Sequence, residues 1–177
     1  MESKSNQRAM SSQDESKGIK NSLGILKALA FADLREKHPN VPDRAIPQPK
    51  YSDKTANGLT KCIVDYITFM GGMAERRNSM GRFIQPKTYT NVFGKEIQLG
   101  KGKYIPTTGR NGTADISGVF KGVPLAVEVK IGKDRMSEAQ KAYKADFERA
   151  GGWYCIARSF DQFINEIQER FRDGQER

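Results

Sequence analysis

Four segments of the chain place apolar residues three and four positions apart, the spacing that buries one face of an α-helix. These positions are Leu23, Leu26, Ala30 and Leu34; Leu59, Cys62, Ile63, Tyr66, Ile67 and Met70; Ala139, Tyr143, Phe147 and Ala150; and Phe160, Phe163, Ile164, Ile167 and Phe171. The sequence therefore predicts four amphipathic helices, of which the first either packs on the core or binds a partner.

Local signals place the ends of these helices. The glycine pairs at 71–72 and 151–152 end the second and third helices, because glycine favours the conformation that follows a helix C-terminus. Ser137 followed by Gln140 forms a capping-box pattern at the start of the third helix, and Ser159 repeats it before the fourth.

Residues 115–130 alternate apolar with polar or small residues on either side of Lys121-Gly122, which predicts a β-hairpin. A two-residue loop pairs Phe120 with Val123, Gly118 with Leu125, Ile116 with Val127 and Ala114 with Val129. Nearly every side chain on that face is apolar, so we expect it to pack against the core.

The remaining chain shows weaker patterns. We expect short strands at 73–79 and 153–158, a turn at 80–82, and one or two strands around a basic loop within 83–112. Residues 1–18 are polar, and we expect them to form a disordered tail. We expect a helix and a Pro-rich connector at 19–56 and the domain at 57–177.

The hairpin register also places Asp115 opposite Glu128, with Lys130 two residues along on the same face. Opposed like charges destabilise a sheet, and a divalent cation such as Mg²⁺ would offset their repulsion. The simpler interpretation is a solvated hairpin face with an exposed Glu-Lys pair, because a Glu-x-Lys tripeptide is common.

Composition limits the other function classes. The chain of 177 residues suits one domain, and it has no apolar stretch of membrane-spanning length and no hydrophobic signal core, so we expect a cytoplasmic protein. Cys62 and Cys155 lie far apart, which favours buried thiols over zinc ligands or a disulfide. His38 is the one histidine, which disfavours mechanisms that need several imidazoles.

The net charge of +9 is unevenly distributed. Residues 76–110 contain eight basic side chains and one acidic side chain, Glu96. A concentrated basic segment suits a polyanion such as DNA, although it is equally typical of a loop that charge keeps soluble.

In chain order, Gly112-Thr113-Ala114-Asp115, Glu128-Val129-Lys130 and Gln140-Lys141-Ala142-Tyr143 resemble the PD-(D/E)xK nuclease superfamily. More narrowly, they are similar to the virus-type replication-repair nuclease (VRR-NUC) domains. The helix at 59–70, followed by Gly72, Arg77-Asn78 and Gly81, resembles an upstream segment of that family, and the match covers about residues 57–160.

The resemblance implies an α/β fold with a restriction-endonuclease-like core, in which a mixed β-sheet is flanked by helices on both faces. It implies that Asp115, Glu128 and the Val129 carbonyl bind Mg²⁺, with Mn²⁺ as a substitute. Lys130 would position or deprotonate the attacking water, or stabilise the transition state. Gln140 would support the site near the DNA, or it could simply close the capping box with Ser137, and both roles can hold together.

The implied function is a Mg²⁺-dependent DNA endonuclease, acting on branched or structured DNA in phage or mobile-element replication and recombination, in a bacterial host. The expected phosphate contacts are Arg76, Arg77, Arg82, Arg110 and Lys133, for which ordinary solvation is the alternative. A homodimer, and a protein partner bound through residues 19–37, stay open.

One departure from the family pattern keeps a second hypothesis open. Family members commonly have an acidic residue near the start of the first core helix, where this chain has Asn57, and neither Asp65 nor Glu75 falls at the expected place. The alternative is a nuclease-fold DNA-binding module with weak or no catalysis. A weaker third hypothesis is an assembly protein without nuclease activity.

Overall fold

The structure is a computed structural model that describes residues 21–77, 81–106 and 109–172. The predicted tail at 1–18 lies outside these residues. Within them the helices are α1 (Ser22–Lys37), α2 (Ala56–Phe69), α3 (Glu138–Arg149) and α4 (Phe160–Arg172), with a 3₁₀ turn at Asp43–Ala45. The strands are β1 (Met73–Arg76), β2 (Arg82–Ile84), β3 (Lys87–Thr90), β4 (Glu96–Leu99), β5 (Lys103–Ile105), β6 (Ile116–Phe120), β7 (Val123–Val129) and β8 (Trp153–Ala157).

The described part of the chain forms a mixed four-stranded sheet in the order β1-β6-β7-β8. Strands β1, β6 and β7 pair antiparallel, and β8 pairs parallel to β7 because α3 carries the chain back across the sheet. The fold is therefore mixed α/β, as expected.

The predicted register of the β6–β7 hairpin is confirmed from Phe120 opposite Val123 to Ile116 opposite Val127. The predicted pairing of Ala114 with Val129 is wrong, because the ladder ends at Ile116 and the chain bends at Asp115. Ala114 instead packs with Ala126 on the opposite face of the sheet.

Helices pack on both faces of this sheet. Helices α1, α2 and α4 cover the face that presents Leu125 and Val127, and together they form the main hydrophobic core. Helix α3 covers the other face, where its Tyr143 and Phe147 rings pack around Tyr154. Glu128 belongs to this second face because side chains alternate along β7.

Helix α1 ends at Lys37, before His38-Pro39 as predicted, and it packs into the main core. Leu26 is completely buried there, and the Ser22 amide donates to the Asp161 carboxylate at the start of α4. Residues ahead of 57, predicted to precede the domain, therefore contribute to the same core.

The capping box that starts α3 is confirmed, with Ser137 and Gln140 each accepting from the other's backbone amide. The predicted buried stripe of this helix is only half correct. Tyr143 and Phe147 are half-buried, whereas Ala139 and Ala150 are exposed, because the second face of the sheet is small and two rings cover it.

The segment at 83–112 contains more strands than predicted. Strands β2 and β5 form one two-stranded ribbon, and β3 and β4 form another, within the described residues. We call residues 82–105 the arm. The strand predicted at 73–79 ends at Arg76, and residues 78–80 of that strand and of the predicted turn lie outside the described residues.

Cys62 and Cys155 are free, buried thiols, as predicted. In the described part of the chain, no helix has the length and apolar character needed to span a bilayer.

Candidate metal centre

Asp115 lies at the open end of the β6–β7 hairpin and is fixed by backbone contacts. Its Oδ2 accepts a hydrogen bond of 3.0 Å from the Val129 amide, and its carbonyl oxygen accepts one of 2.7 Å from the Arg77 amide. The carboxylate is therefore held beside the end of β7.

Glu128 and Lys130 alternate along the end of β7, so their side chains lie on one face of the sheet. Their residues are only 2 % and 5 % exposed. Lys130 Nζ lies 3.1 Å from Glu128 Oε1 and 3.2 Å from Asp134 Oδ2. The solvated-face alternative is wrong for this pair, since both charges are buried and paired.

Gln140 connects this ion pair to α3. Its Oε1 accepts from the Ser137 amide at 2.9 Å and from Lys130 Nζ at 3.2 Å, and its Nε2 donates to Glu128 Oε1. One amide therefore closes the capping box and contacts both charged residues, so the two interpretations of Gln140 are compatible.

Gly112 allows α3 to approach the Asp115 segment. It has a φ of 78°, and a Cβ atom there would collide with the backbone of Ala139 and the backbone nitrogen of Gln140. Any other residue would strain this conformation and push the first turn of α3 away from the site.

The charges of the cluster shift one another's pKa values. Burial raises the pKa of Glu128, and the Asp115 charge raises it further, beyond what contact with Lys130 offsets. Burial acts to lower the pKa of Lys130, but hydrogen bonds to Glu128 and Asp134 outweigh it and the pKa is raised. Lys130 is thus held as an ammonium ion.

Two carboxylates and one carbonyl oxygen offer the hard oxygen donors that Mg²⁺ prefers. The Val129 amide points toward Asp115, and in an extended strand the carbonyl of the same residue points to the same side. Asp115, Glu128 and the Val129 carbonyl therefore offer the types of donor that a divalent cation takes. In the described residues no group of three or more His, Cys, Asp or Glu side chains is close enough to hold a metal by itself.

The sequence prediction missed three residues of the site. The Tyr154 hydroxyl lies 3.5 Å from Glu128 Oε2, Asp134 pairs with Lys130, and Arg158 donates to the carbonyls of Gly132 and Asp134. Tyr154 and Arg158 reach the site through parallel pairing of β8 with β7, which no local pattern reveals.

The five predicted phosphate-binding residues Arg76, Arg77, Arg82, Arg110 and Lys133 are all exposed. Arg110 is the most constrained, because it pairs with Asp146 and its guanidinium lies 5.5 Å from the centre of the Tyr143 ring. Arg77 lies 3.9 Å from Glu75. Within the described residues, none of the five side chains forms a hydrogen bond or ion pair with Asp115, Glu128 or Lys130, so their role in DNA binding stays a prediction.

The described residues supply no obvious substitute for the acid missing at Asn57. Asn57 is exposed in the first turn of α2. Asp65 is used by Tyr51 and Lys61, and Glu75 is exposed on β1, opposite Ser117.

Comparison of the chain with models of known protein families gives no match, and a search of curated proteins gives none either. A functional proposal therefore depends on the site's own geometry.

Proposed function

We propose that this protein is a metal-dependent DNA endonuclease with a restriction-endonuclease-like core. The observation that supports this most is the buried Glu128–Lys130 pair, with Gln140 bridging it and Asp115 fixed at the adjacent end of the hairpin. A structural ion pair alone gives no reason for a second carboxylate to be held beside Glu128, because like charges repel.

In this proposal Asp115, Glu128 and the Val129 carbonyl hold Mg²⁺ or Mn²⁺. The bound ion would polarise the phosphodiester and lower the pKa of the attacking water. The ammonium of Lys130 stabilises negative charge on the phosphate and orients the water.

The partners of Lys130 indicate the side from which a phosphate approaches. Glu128 and Gln140 lie against the core, whereas the Asp134 side chain is exposed. An incoming phosphate would displace Asp134 and take over its contact with the ammonium. Gln140 stays in place because the capping box fixes it.

A cleavage screen tests the proposal. The full chain is incubated with branched, flapped and linear duplex DNA in Mg²⁺, Mn²⁺ or EDTA, beside Lys130→Ala and the exposed α4 control Glu169→Gln. We expect cleavage that requires metal, is lost in Lys130→Ala and is kept in Glu169→Gln. If no substrate is cut and wild type and Lys130→Ala behave alike, the proposal fails.

A second candidate is a DNA-binding module that has lost efficient catalysis. The observation in its favour is Asn57, since the first turn of α2 contains no acidic residue. This candidate predicts salt-dependent DNA binding without a metal requirement. Calorimetry that detects Mg²⁺ binding in wild type and none in Asp115→Asn would rule against it.

A further inference from the structure

The arm, residues 82–105, leaves and rejoins the sheet beside the candidate metal centre. Arg76 at the end of β1 pairs with Ile116 at the start of β6, and the Arg77 amide donates to the Asp115 carbonyl. The insertion between the two strands therefore begins at Arg77 and ends at Asp115. The arm is connected to the sheet at the strand ends that also carry Asp115.

The surface of the arm is both apolar and basic. Eight of the thirteen exposed large hydrophobic residues in the described chain lie within it. Five of its residues are basic and one, Glu96, is acidic. Exposed apolar area on this scale marks an interaction surface, and the charge selects an anionic partner.

The tip of the arm holds two apolar side chains in solvent. Asn91 closes the β3–β4 turn, since its Oδ1 accepts from the Phe93 amide at 3.0 Å and the Lys95 amide at 2.9 Å. Gly94 supplies the positive φ that this turn needs, 74°. Val92 and Phe93 are left 94 % and 90 % exposed.

The β2–β5 ribbon adds two exposed aromatic rings on a defined backbone. Phe83 and Tyr104 are paired across the strands. Each ring covers a glycine, with Phe83 over Gly102 and Tyr104 over Gly81, so a Cβ at either glycine would collide with the ring. Exposed rings held in this way are platforms on which nucleic-acid bases stack.

We propose that the arm recognises DNA in which base stacking is interrupted, with Val92 and Phe93 inserted as a wedge at the branch or opened step. Apolar side chains are inserted between base steps in this way by proteins that kink DNA, while Lys and Arg contact the phosphates on either side. The inference rests on the proposed nuclease function and assigns to the arm the recognition of its DNA substrate.

A second copy of the chain is the less suitable occupant for the arm. Two arms of equal positive charge repel one another. A polyanion instead interacts favourably with each of the lysines of the arm, Lys87, Lys95, Lys101 and Lys103. We therefore assign the arm to DNA and treat self-association as an outcome of the test.

The test measures DNA binding by the full chain in EDTA, so that no cleavage occurs. A four-way junction with 2-aminopurine at the branch is compared with a linear duplex of the same sequence, using wild type, the double variant Val92→Ser with Phe93→Ser, and the control Val41→Ser, which changes an exposed residue outside the arm. We expect the double variant to bind the junction about tenfold more weakly than wild type and to lose less affinity for the linear duplex. We also expect the change in 2-aminopurine fluorescence that wild type causes to be absent in the double variant.

Equal junction affinity in wild type and the double variant would overturn the inference, as would the absence of DNA binding by wild type. If the double variant sediments as a different oligomer but binds DNA as tightly as wild type, the inference is overturned, and the arm is instead a surface for self-association. Cleavage in Mg²⁺ separates the two proposals. If cleavage requires Glu128 but is unchanged by the substitutions at Val92 and Phe93, only the proposal for the arm fails. If DNA binding depends on Val92 and Phe93 but no DNA is cleaved, only the nuclease proposal fails.

Discussion

At the scale of single residues, Gln140 decides how the candidate centre is built, because its amide has three partners. Replacing it with glutamate keeps the acceptor for Ser137 but places a third carboxylate against Glu128. We expect Gln140→Glu to slow cleavage roughly 10- to 100-fold, because the variant loses the Nε2 donor that orients Glu128. The measurement is cleavage rate against Mg²⁺ concentration.

The control for Gln140 is Ser137→Ala, which removes the cap and leaves the charged cluster in place. It should cost about 1 kcal/mol in the free energy of unfolding and little activity. If Gln140→Glu cuts DNA like wild type, Gln140 is only a cap.

Gly112 gives a second prediction at this scale. Gly112→Ala should destabilise the protein by about 1–3 kcal/mol or more, since it combines a positive φ with a collision against α3. Gly151→Ala is the matched control, because Gly151 has a φ of 88° and open space around it. Urea unfolding that gives equal losses for both variants would show that α3 does not press on Gly112.

Glu128 and Lys130 could be placed on one face from the sequence because side chains alternate along a strand. Asp115 could be placed only near this pair, since the hairpin ladder ends at Ile116 and the chain bends at Asp115. Asp134 and Tyr154 could not. Asp134 reaches Lys130 through an irregular loop, and Tyr154 depends on which strand β8 joins. Such contacts follow from tertiary packing, which local patterns do not encode.

At the scale of elements, α1 is part of the core, and this has a measurable consequence. Leu26→Ala should lower the free energy of unfolding by about 2–5 kcal/mol, the usual range for removing a fully buried leucine side chain. Ile25→Ala, on the exposed side of the same helix, should cost much less. Equal, small effects in chemical denaturation would mean that α1 does not stabilise the domain.

The helices were predictable from the sequence because each has its own apolar stripe, and α2, α3 and α4 also have a local start or stop signal. The strands of the arm were not, since β2 to β5 are three or four residues long and largely exposed on both faces, which leaves no alternation to detect. The same exposure is what makes the arm a candidate binding surface.

At the scale of the whole molecule, the two thiols report on the integrity of the fold. Burial raises the pKa of Cys62 to about 11 and raises that of Cys155, which also hydrogen-bonds to Glu166. At pH 8 about one Cys62 in a thousand is then a thiolate in the native state, so native labelling should be slow and should accelerate as pH rises toward 11.

The unfolded thiol ionises near its ordinary pKa of 9.0, so stability falls as pH rises above that value. Iodoacetamide labelling with and without urea checks the predicted slow reaction of the native thiols. Two thiols that react at pH 8 as fast in the native protein as in urea would contradict the packing of α2 and β8.

The segment that carries the arm leaves the sheet at Arg77 and returns at Asp115, where the Arg77 amide donates to the Asp115 carbonyl. The proposed DNA-binding surface and the proposed nuclease centre are therefore joined through the same strand ends. The most direct measurement is the single-turnover cleavage rate of a branched duplex in Mg²⁺, for wild type and for the isosteric Glu128→Gln, with equal folding verified by circular dichroism. We predict metal-dependent cleavage by wild type and a loss of at least about a hundredfold in Glu128→Gln, because the variant removes the charge of a proposed metal ligand. Equal rates in the two proteins, or no cleavage by wild type, would contradict the proposed nuclease centre.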